Sequence, residues 1–312
     1  MTVQVLGASQ IAQLDKQSVK DALKSAFAGL STGASIQPEQ TVTVFPGDAG
    51  DAIFYPGVLW ASGVVGVKIS PYITALGEAG KSPVTAYTLL LSVETGEPVL
   101  LCDSLALTTA RTAATTSLAL DYLIPSGAKS LAVIGSGKIA REHLSYALEQ
   151  HEWNGVSVFS PSLVDSRERR EQIASIDPDI AFPNTAEHAV RDADVVLLCT
   201  SSGTPVVETP WLKDAQVVTS ISTNVPMAHE VDPATLKDFD VFCDFKRTAP
   251  TTAGDFVLAT QKFGWSPDQI IADLPELILQ GGKVVTTGRP AYFRSTGLGI
   301  EDLAIAALLA SL

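Results

Sequence analysis

Residues 18–30 (SVKDALKSAFAGL) place Val19, Ala22, Leu23, Ala26, Phe27 and Leu30 on one face at a period of 3.6. This predicts an amphipathic helix, with Asp15 or Ser18 as its cap. Residues 41–45 (TVTVF), 58–70 (VLWASGVVGVKIS), 85–93 (TAYTLLLSV) and 98–102 (PVLLC) are rich in Val, Thr and aromatic residues, as strands are. Glu94-Thr95-Gly96-Glu97 between the last two reads as a hairpin turn. Residues 105–123 then read as a long helix.

From Lys129 the pattern changes. Short apolar runs at 130–134 (SLAVI), 155–159 (GVSVF), 193–199 (ADVVLLC), 216–221 (QVVTSI) and 240–244 (DVFCD) alternate with helix-like stretches, the first at 138–150. Such alternation predicts an α/β fold with a doubly wound parallel sheet, because parallel strands need crossovers. The ending, 300–312 (IEDLAIAALLASL), predicts an apolar helix that packs back on the first region.

The chain has 312 residues, enough for about two domains, and its 46% hydrophobic and 18% charged residues argue against disorder. The net charge is −13 with no cluster of Lys or Arg, which disfavours nucleic-acid and anionic-membrane partners. Cys102, Cys199 and Cys243 are far apart in apolar stretches and predict reduced thiols in a cytoplasmic protein. His143, His151, His188 and His229 form no metal-binding pattern, so no metal is expected. The N-terminal stretch lacks the basic and apolar blocks of a signal peptide, and no apolar run approaches the ~20 residues of a membrane span.

Gly135-Ser136-Gly137-Lys138-Ile139-Ala140 fits G-x-G-x-x-A, after one predicted strand and at the start of a predicted helix. In that context Gly135 permits the tight turn, Gly137 lets the backbone approach a pyrophosphate, and Ala140 allows close helix–strand packing. An NAD site usually carries an acid at the end of the second strand to hold the ribose 2′-hydroxyl. Here that place reads Phe159-Ser160-Pro161-Ser162, with Arg167 shortly after. Ser160, Ser162 and Arg167 suit a 2′-phosphate, so NADP is expected in preference to NAD. Arg167, Arg169 and Arg170 equally fit a solvated helix face. Thr200, Ser201 and Ser202 end a later strand of the same sheet, where a ligand in its crevice would touch them.

Lys68 lies in a run of apolar and small residues, Val64 to Ile69. Either it reaches solvent from an edge strand, or it is buried and a candidate acid–base group. Arg111 lies in Thr108-Thr109-Ala110-Arg111-Thr112-Ala113-Ala114, with no acid nearby in sequence. An unpaired arginine in such a helix suits a substrate carboxylate.

Gly66-Val67-Lys68, Thr95 to Pro98, Thr108 to Ala114, Gly135 to Ala140 and Gly297 to Leu303 together resemble the ornithine cyclodeaminase/mu-crystallin family. The resemblance implies a homodimer, with a substrate and dimerisation domain (1–115 and 295–312) interrupted by a Rossmann domain (116–294). It implies Lys68 and Arg111 in the substrate site and Thr112 near the cofactor phosphates. It places the 295–302 segment, with Ser295, beside the nicotinamide, and Ser222 among the cofactor contacts. Two positions depart from the family. Cyclodeaminases carry an acid–base aspartate where Asn224 stands, and an amide cannot shuttle protons. Many members bind the carboxylate with an early arginine where Gln40 stands. The stretches Gln37–Thr41, Ile69–Tyr72 and Ser220–Asn224 resemble a branch of L-amino-acid dehydrogenases that includes arginine dehydrogenases. Asp51 or Glu39 would face a cationic substrate tail. The expected activity is therefore amino-acid dehydrogenation at the α C–N bond. Cyclic ketimine reduction, cyclodeamination and non-catalytic ligand binding are the alternatives.

Overall fold

The computed structural model describes residues 3–222, 227–284 and 286–312. The chain divides into two compact units, residues 1–111 with 297–312 and residues 112–296. The division falls inside the helix Ser104–Leu123. Among the described residues no helix is long and apolar enough to cross a membrane.

The first unit holds β1 (Gln4–Leu6), β2 (Ser35–Ile36), β3 (Thr41–Val44), β4 (Gly50–Leu59), β5 (Val64–Ile73), β6 (Tyr87–Ser92) and β7 (Pro98–Asp103). They form one sheet in the order β1-β7-β6-β5-β4-β2, with β3 also on β4. Only β1, beside β7, runs parallel to its neighbour. The expected single strand over 58–70 is two strands. A 3₁₀ turn over Trp60–Ser62 and Gly63, at φ 68°, reverses the chain into a β4–β5 hairpin. Trp and Ala lack turn chemistry, so only Ser62 and Gly63 mark the break in the sequence.

The helix Lys16–Thr32 is capped by Asp15, whose carboxylate accepts from the Ser18 backbone N–H. The helix Gly299–Ala310 packs against that helix and across β4 to β7. It is buried continuously from Gly299 to Ala306, as a helix apolar on most faces must be. Two glycines let it approach: a Cβ on Gly299 would strike the Pro56 carbonyl, and one on Gly57 would crowd Ile300 and Leu303.

The second unit holds β8 (Ser130–Ile134), β9 (Gly155–Phe159), β10 (Val195–Leu198), β11 (Val217–Ser220), β12 (Asp240–Cys243), β13 (Ile270–Asp273) and β14 (Ala291–Arg294). All pair in parallel, in the order β13-β12-β14-β11-β10-β8-β9. Strand order reverses between β8 and β10, which opens a crevice at their C-terminal ends. Val196, Leu198, Val241, Phe256 and Tyr292 are fully buried in the core. Each such side chain contributes roughly 1.5–3 kcal/mol. β13 (IIAD) and β14 (AYFR) escape sequence reading because Asp273 and Arg294 cut each apolar run to three residues.

His143, on the helix Lys138–Gln150, is buried against Thr116. Its Nδ1–H donates to the Ile139 carbonyl at 2.8 Å, so Nε2 accepts from the Thr116 hydroxyl at 3.0 Å. Burial pushes this imidazole down to about 4, and it stays neutral.

Candidate functional site

In the first unit, the pairing of β4 with β5 sets Lys68 directly opposite Tyr55. Its ammonium lies 4.1 Å from the centre of the Tyr55 ring. Lys68 is not an edge-strand lysine reaching solvent: it is 3% exposed, and its Nζ stands 2.8 Å from Asp302 Oδ2. Arg111 is also buried, and its Nη1 donates to Glu301 Oε2 at 3.1 Å. Its Nε lies 3.5 Å from Asp302 Oδ1. The arginine expected to be unpaired thus meets two acids from the far end of the chain. Two basic and two acidic side chains make one buried cluster. Both acids sit in the first turn of the helix Gly299–Ala310, where the helix dipole favours them.

Burial lowers the Lys68 pKa, Asp302 opposes that shift and Arg111 assists it. A buried lysine in this setting gives up its proton more readily than a solvated one. Burial also works on Arg111, but Asp302 and Glu301 outweigh it and raise its pKa, so the guanidinium stays charged. Burial pushes the Tyr55 phenol up to about 12.

Gln37 and Gln40 are placed differently. Gln37 is buried, accepts from the Ile300 backbone N–H at 3.0 Å and donates to the Pro38 carbonyl at 2.6 Å. Gln40 is half-buried just before β3, and Gln37, not Gln40, ties the early segment to the C-terminal helix. Asp51 is half-buried on β4, opposite Tyr72, four residues before Tyr55 and on the same face. Its charge contributes to raising the Tyr55 phenol. Glu39 is exposed.

In the second unit, Gly135 follows β8 with φ 130°, and its N–H donates to the Phe159 carbonyl at the end of β9 at 2.8 Å. A Cβ there would strike the Cys199 carbonyl beyond β10, so only glycine fits between the three strand ends. A Cβ on Gly137 would meet open space. Gly137 caps the helix Lys138–Gln150, and no side chain caps its first turn. The backbone donors of Lys138 and Ile139 therefore face an approachable helix N-terminus suited to phosphate.

The Ser162 hydroxyl lies 2.9 Å from that of Ser136 and 3.0 Å from that of Ser160. Arg169 Nη1 donates to Ser162 Oγ at 3.0 Å. Arg167 is 91% exposed and pairs with Glu171, so Arg169 is the arginine joined to the serines. Pro161 opens a short helix over Pro161–Val164. Together the three hydroxyls and one guanidinium have the donors a phosphate monoester needs, with no acid among them.

Glu230, fully buried, ties two other strand ends together. Its Oε1 accepts from the Thr200 N–H at 2.8 Å and hydroxyl at 2.7 Å. Its Oε2 accepts from Ser220 Oγ at 2.7 Å and the Ser222 N–H at 2.8 Å. It holds Ser222 at φ 47°, a left-handed conformation for a residue with a Cβ. Ser202 N donates to Thr200 Oγ1, while Ser201 is exposed. Ser295 is buried, its N–H bonded to the Ser220 carbonyl at 3.0 Å. Thr112 is buried in the helix Ser104–Leu123. Asn224 lies outside the described residues. Among the described residues no group of His, Cys, Asp and Glu is arranged to hold a metal.

The parallel sheet, its reversal of strand order and its glycine turn define a Rossmann-type α/β protein. Residues 4–310 match the ornithine cyclodeaminase/mu-crystallin family, and the chain belongs to it. It is 46% identical to the NAD(P)H-dependent anabolic L-arginine dehydrogenase DauB of Pseudomonas aeruginosa, over 98% of this chain and 95% of that protein. It is 26% identical to the ketimine reductase mu-crystallin of Rattus norvegicus, over 92% of this chain and 89% of that one. Among solved structures it resembles Delta(1)-pyrroline-2-carboxylate reductase of Thermococcus litoralis in complex with NADH and L-proline. That likeness has a TM-score of 0.89 at 25% identity and covers 99% of this chain and 96% of the other.

Proposed function

We propose that the protein is an NADP(H)-dependent dehydrogenase of an L-amino acid, acting on the α C–N bond, with L-arginine or another basic amino acid as substrate. The observation that carries this reading is the buried cluster of Lys68 and Arg111 held by Asp302 and Glu301. The name of the Pseudomonas aeruginosa relative supports the arginine class.

Arg111 binds the substrate carboxylate: only one of its five N–H donors goes to Glu301 Oε2, and its charge is permanent. Lys68 handles protons. As the neutral amine it takes a proton from the water that adds to the iminium carbon, before the C–N bond breaks and ammonia leaves. In the reverse direction its ammonium returns that proton as water departs. A nicotinamide cofactor, when bound, would supply the hydride chemistry. The turn over Gly135, Ser136, Gly137, Lys138 and Ile139 holds the pyrophosphate. Ser160, Ser162 and Arg169 hold the 2′-phosphate, which favours NADP over NAD. Thr112, Thr200, Ser201, Ser202, Ser222 and Ser295 complete the cofactor contacts. Asp51 takes the cationic tail, and Gln40 assists at the substrate. Val42 and Val44 of β3 are 57% and 75% exposed, an apolar edge suited to a second copy of the chain in a homodimer.

Cyclic ketimine reduction is the second reading, favoured by the rat relative's name, and it passes through the same C=N bond. The test is a screen of L-amino acids with NADP+ and with NAD+, followed at the nicotinamide absorbance. Turnover greatest for a basic amino acid with NADP+ supports the proposal, as does ammonia dependence of the reductive direction. Reduction of a cyclic imine without ammonia, and no oxidation of any amino acid, contradicts it.

A further inference from the structure

The buried carboxylates of the chain differ in what holds them. Glu230 accepts four hydrogen bonds from Thr200, Ser220 and Ser222. Asp255 accepts from the Tyr292 hydroxyl and Arg294. Asp240 accepts from Thr287 and Arg289. Glu301, next to Asp302, gives Oε1 to the Leu298 backbone N–H and Oε2 to Arg111. Asp302 is fully buried as well, yet among the described residues no backbone N–H or hydroxyl donates to either of its oxygens. What faces it is charge: Lys68 Nζ at 2.8 Å from Oδ2 and Arg111 Nε at 3.5 Å from Oδ1.

A buried carboxylate with no backbone or hydroxyl donors is expensive to keep for stability alone, because desolvation consumes much of what a buried ion pair returns. Glu301 is built into the helix start. Asp302 is supported only by the two site cations, and the shorter approach is to Lys68. We propose that Asp302 is a positioning residue dedicated to Lys68, fixing its amine in place and supplying the counter-charge against which it exchanges its proton. This rests on the reading of Lys68 as the acid–base group.

The groups that set the charge around Lys68 come from every element packed on it. Tyr55 of β4 presents a neutral ring, since its phenol is pushed up to about 12. Asp302 and Glu301 of the helix Gly299–Ala310 favour the ammonium, and Arg111 of the helix Ser104–Leu123 disfavours it. Thr88, its partner on β6, does not titrate. The Cys102 thiol of β7, pushed up to about 11 by burial, stays neutral. Asp302 is therefore the main force opposing desolvation, and removing its charge makes Lys68 lose its proton at lower pH.

The test is the pH profile of kcat for amino-acid oxidation by full-length enzyme saturated with NADP+, compared between wild type and Asp302→Asn. Oxidation needs neutral Lys68, so activity rises with pH through its pKa. The rising limb should move to lower pH by roughly 1–3 units, the effect of a close opposite charge. The falling limb of the reductive direction should move the same way, and NADPH affinity should not change. A limb that stays in place in folded Asp302→Asn overturns the proposal. Where Asp302→Asn does not fold, the limb is read in Asp302→Glu, which keeps the charge but moves it by a methylene. A displaced limb with KM retained supports the positioning role, and a limb coincident with wild type overturns it. Failure of both variants to fold makes the carboxylate a structural anchor and also overturns it. Lys68→Ala separates the two levels. If that variant turns over normally, the reading of Lys68 fails. If it is inactive while the Asp302→Asn limb is unmoved, only the role of Asp302 fails.

Discussion

Arg111 Nη1 donates to Glu301 Oε2 at 3.1 Å, a contact that spans 190 residues of sequence. It joins the end of the first stretch of the chain to the first turn of the last helix. The guanidinium is thereby oriented, with one of its five N–H donors used by Glu301 and its Nε facing Asp302.

Arg111→Lys keeps the charge and loses the planar fork. Charge-assisted hydrogen bonds contribute about 1.5–3 kcal/mol, so kcat/KM should fall by roughly 10- to 150-fold. Steady-state kinetics with varied amino acid check this. Unchanged KM and kcat would remove Arg111 from the substrate site.

Ser160→Asp places a carboxylate beside Ser162 and Arg169, where it repels a 2′-phosphate and accepts from a 2′-hydroxyl. Preference should swing toward NAD(H). Arg169→Ala should weaken NADPH more than NADH, whereas Arg167→Ala should change neither, because Arg167 pairs with Glu171 in solvent. Fluorescence titration with both cofactors measures all three variants. A wild type that prefers NADH would contradict the assignment.

Glu230→Gln removes the charge that collects the Thr200 and Ser222 N–H groups and two hydroxyls. A buried donor left without a partner costs about 1–3 kcal/mol, so urea unfolding should show a loss of at least that size. Cofactor affinity should fall with it, since the ends of β10 and β11 lose their common anchor. Wild-type stability in this variant would make the network dispensable.

The neutral His143 gives a pH dependence of stability. Its imidazole titrates at about 4 when folded against an ordinary 6.5, so the unfolded chain binds the proton first. Stability is therefore lost as pH falls from 6.5 toward 4, by about 3 kcal/mol in total. Urea midpoints at pH 7 and pH 4.5 for wild type and His143→Gln measure it. The variant should lose less on acidification. Equal losses would assign the acid sensitivity elsewhere.

The second unit was largely legible in the sequence, because buried parallel strands read as short apolar runs and the Gly135–Ala140 turn needs glycine for steric reasons visible in the motif. The hairpin at Gly63 was not, since Leu59 and Trp60 continue the strand-like texture and Ser62-Gly63 is a short turn signal. The family resemblance points to Gln40, and nothing in the sequence marks Gln37, whose inward turn to the Ile300 N–H is an orientation that spacing does not encode. The candidate site was half legible. Lys68 and Arg111 stand out as cations among small and apolar neighbours. Their partners Glu301 and Asp302 lie in an apolar helix at the other end of the chain, and only packing over Gly57 and Gly299 brings them there.

If Lys68 carries the proton transfers, its removal is decisive, and kcat for Lys68→Ala and Lys68→Arg beside a cofactor-binding titration tests it. Lys68→Ala should bind NADPH as wild type does and lose turnover by about 10²–10⁴-fold, the range of general acid–base groups. Lys68→Arg should not restore it, because a guanidinium keeps its proton. Near-normal turnover in Lys68→Ala, with cofactor bound, would remove Lys68 from the proton transfers.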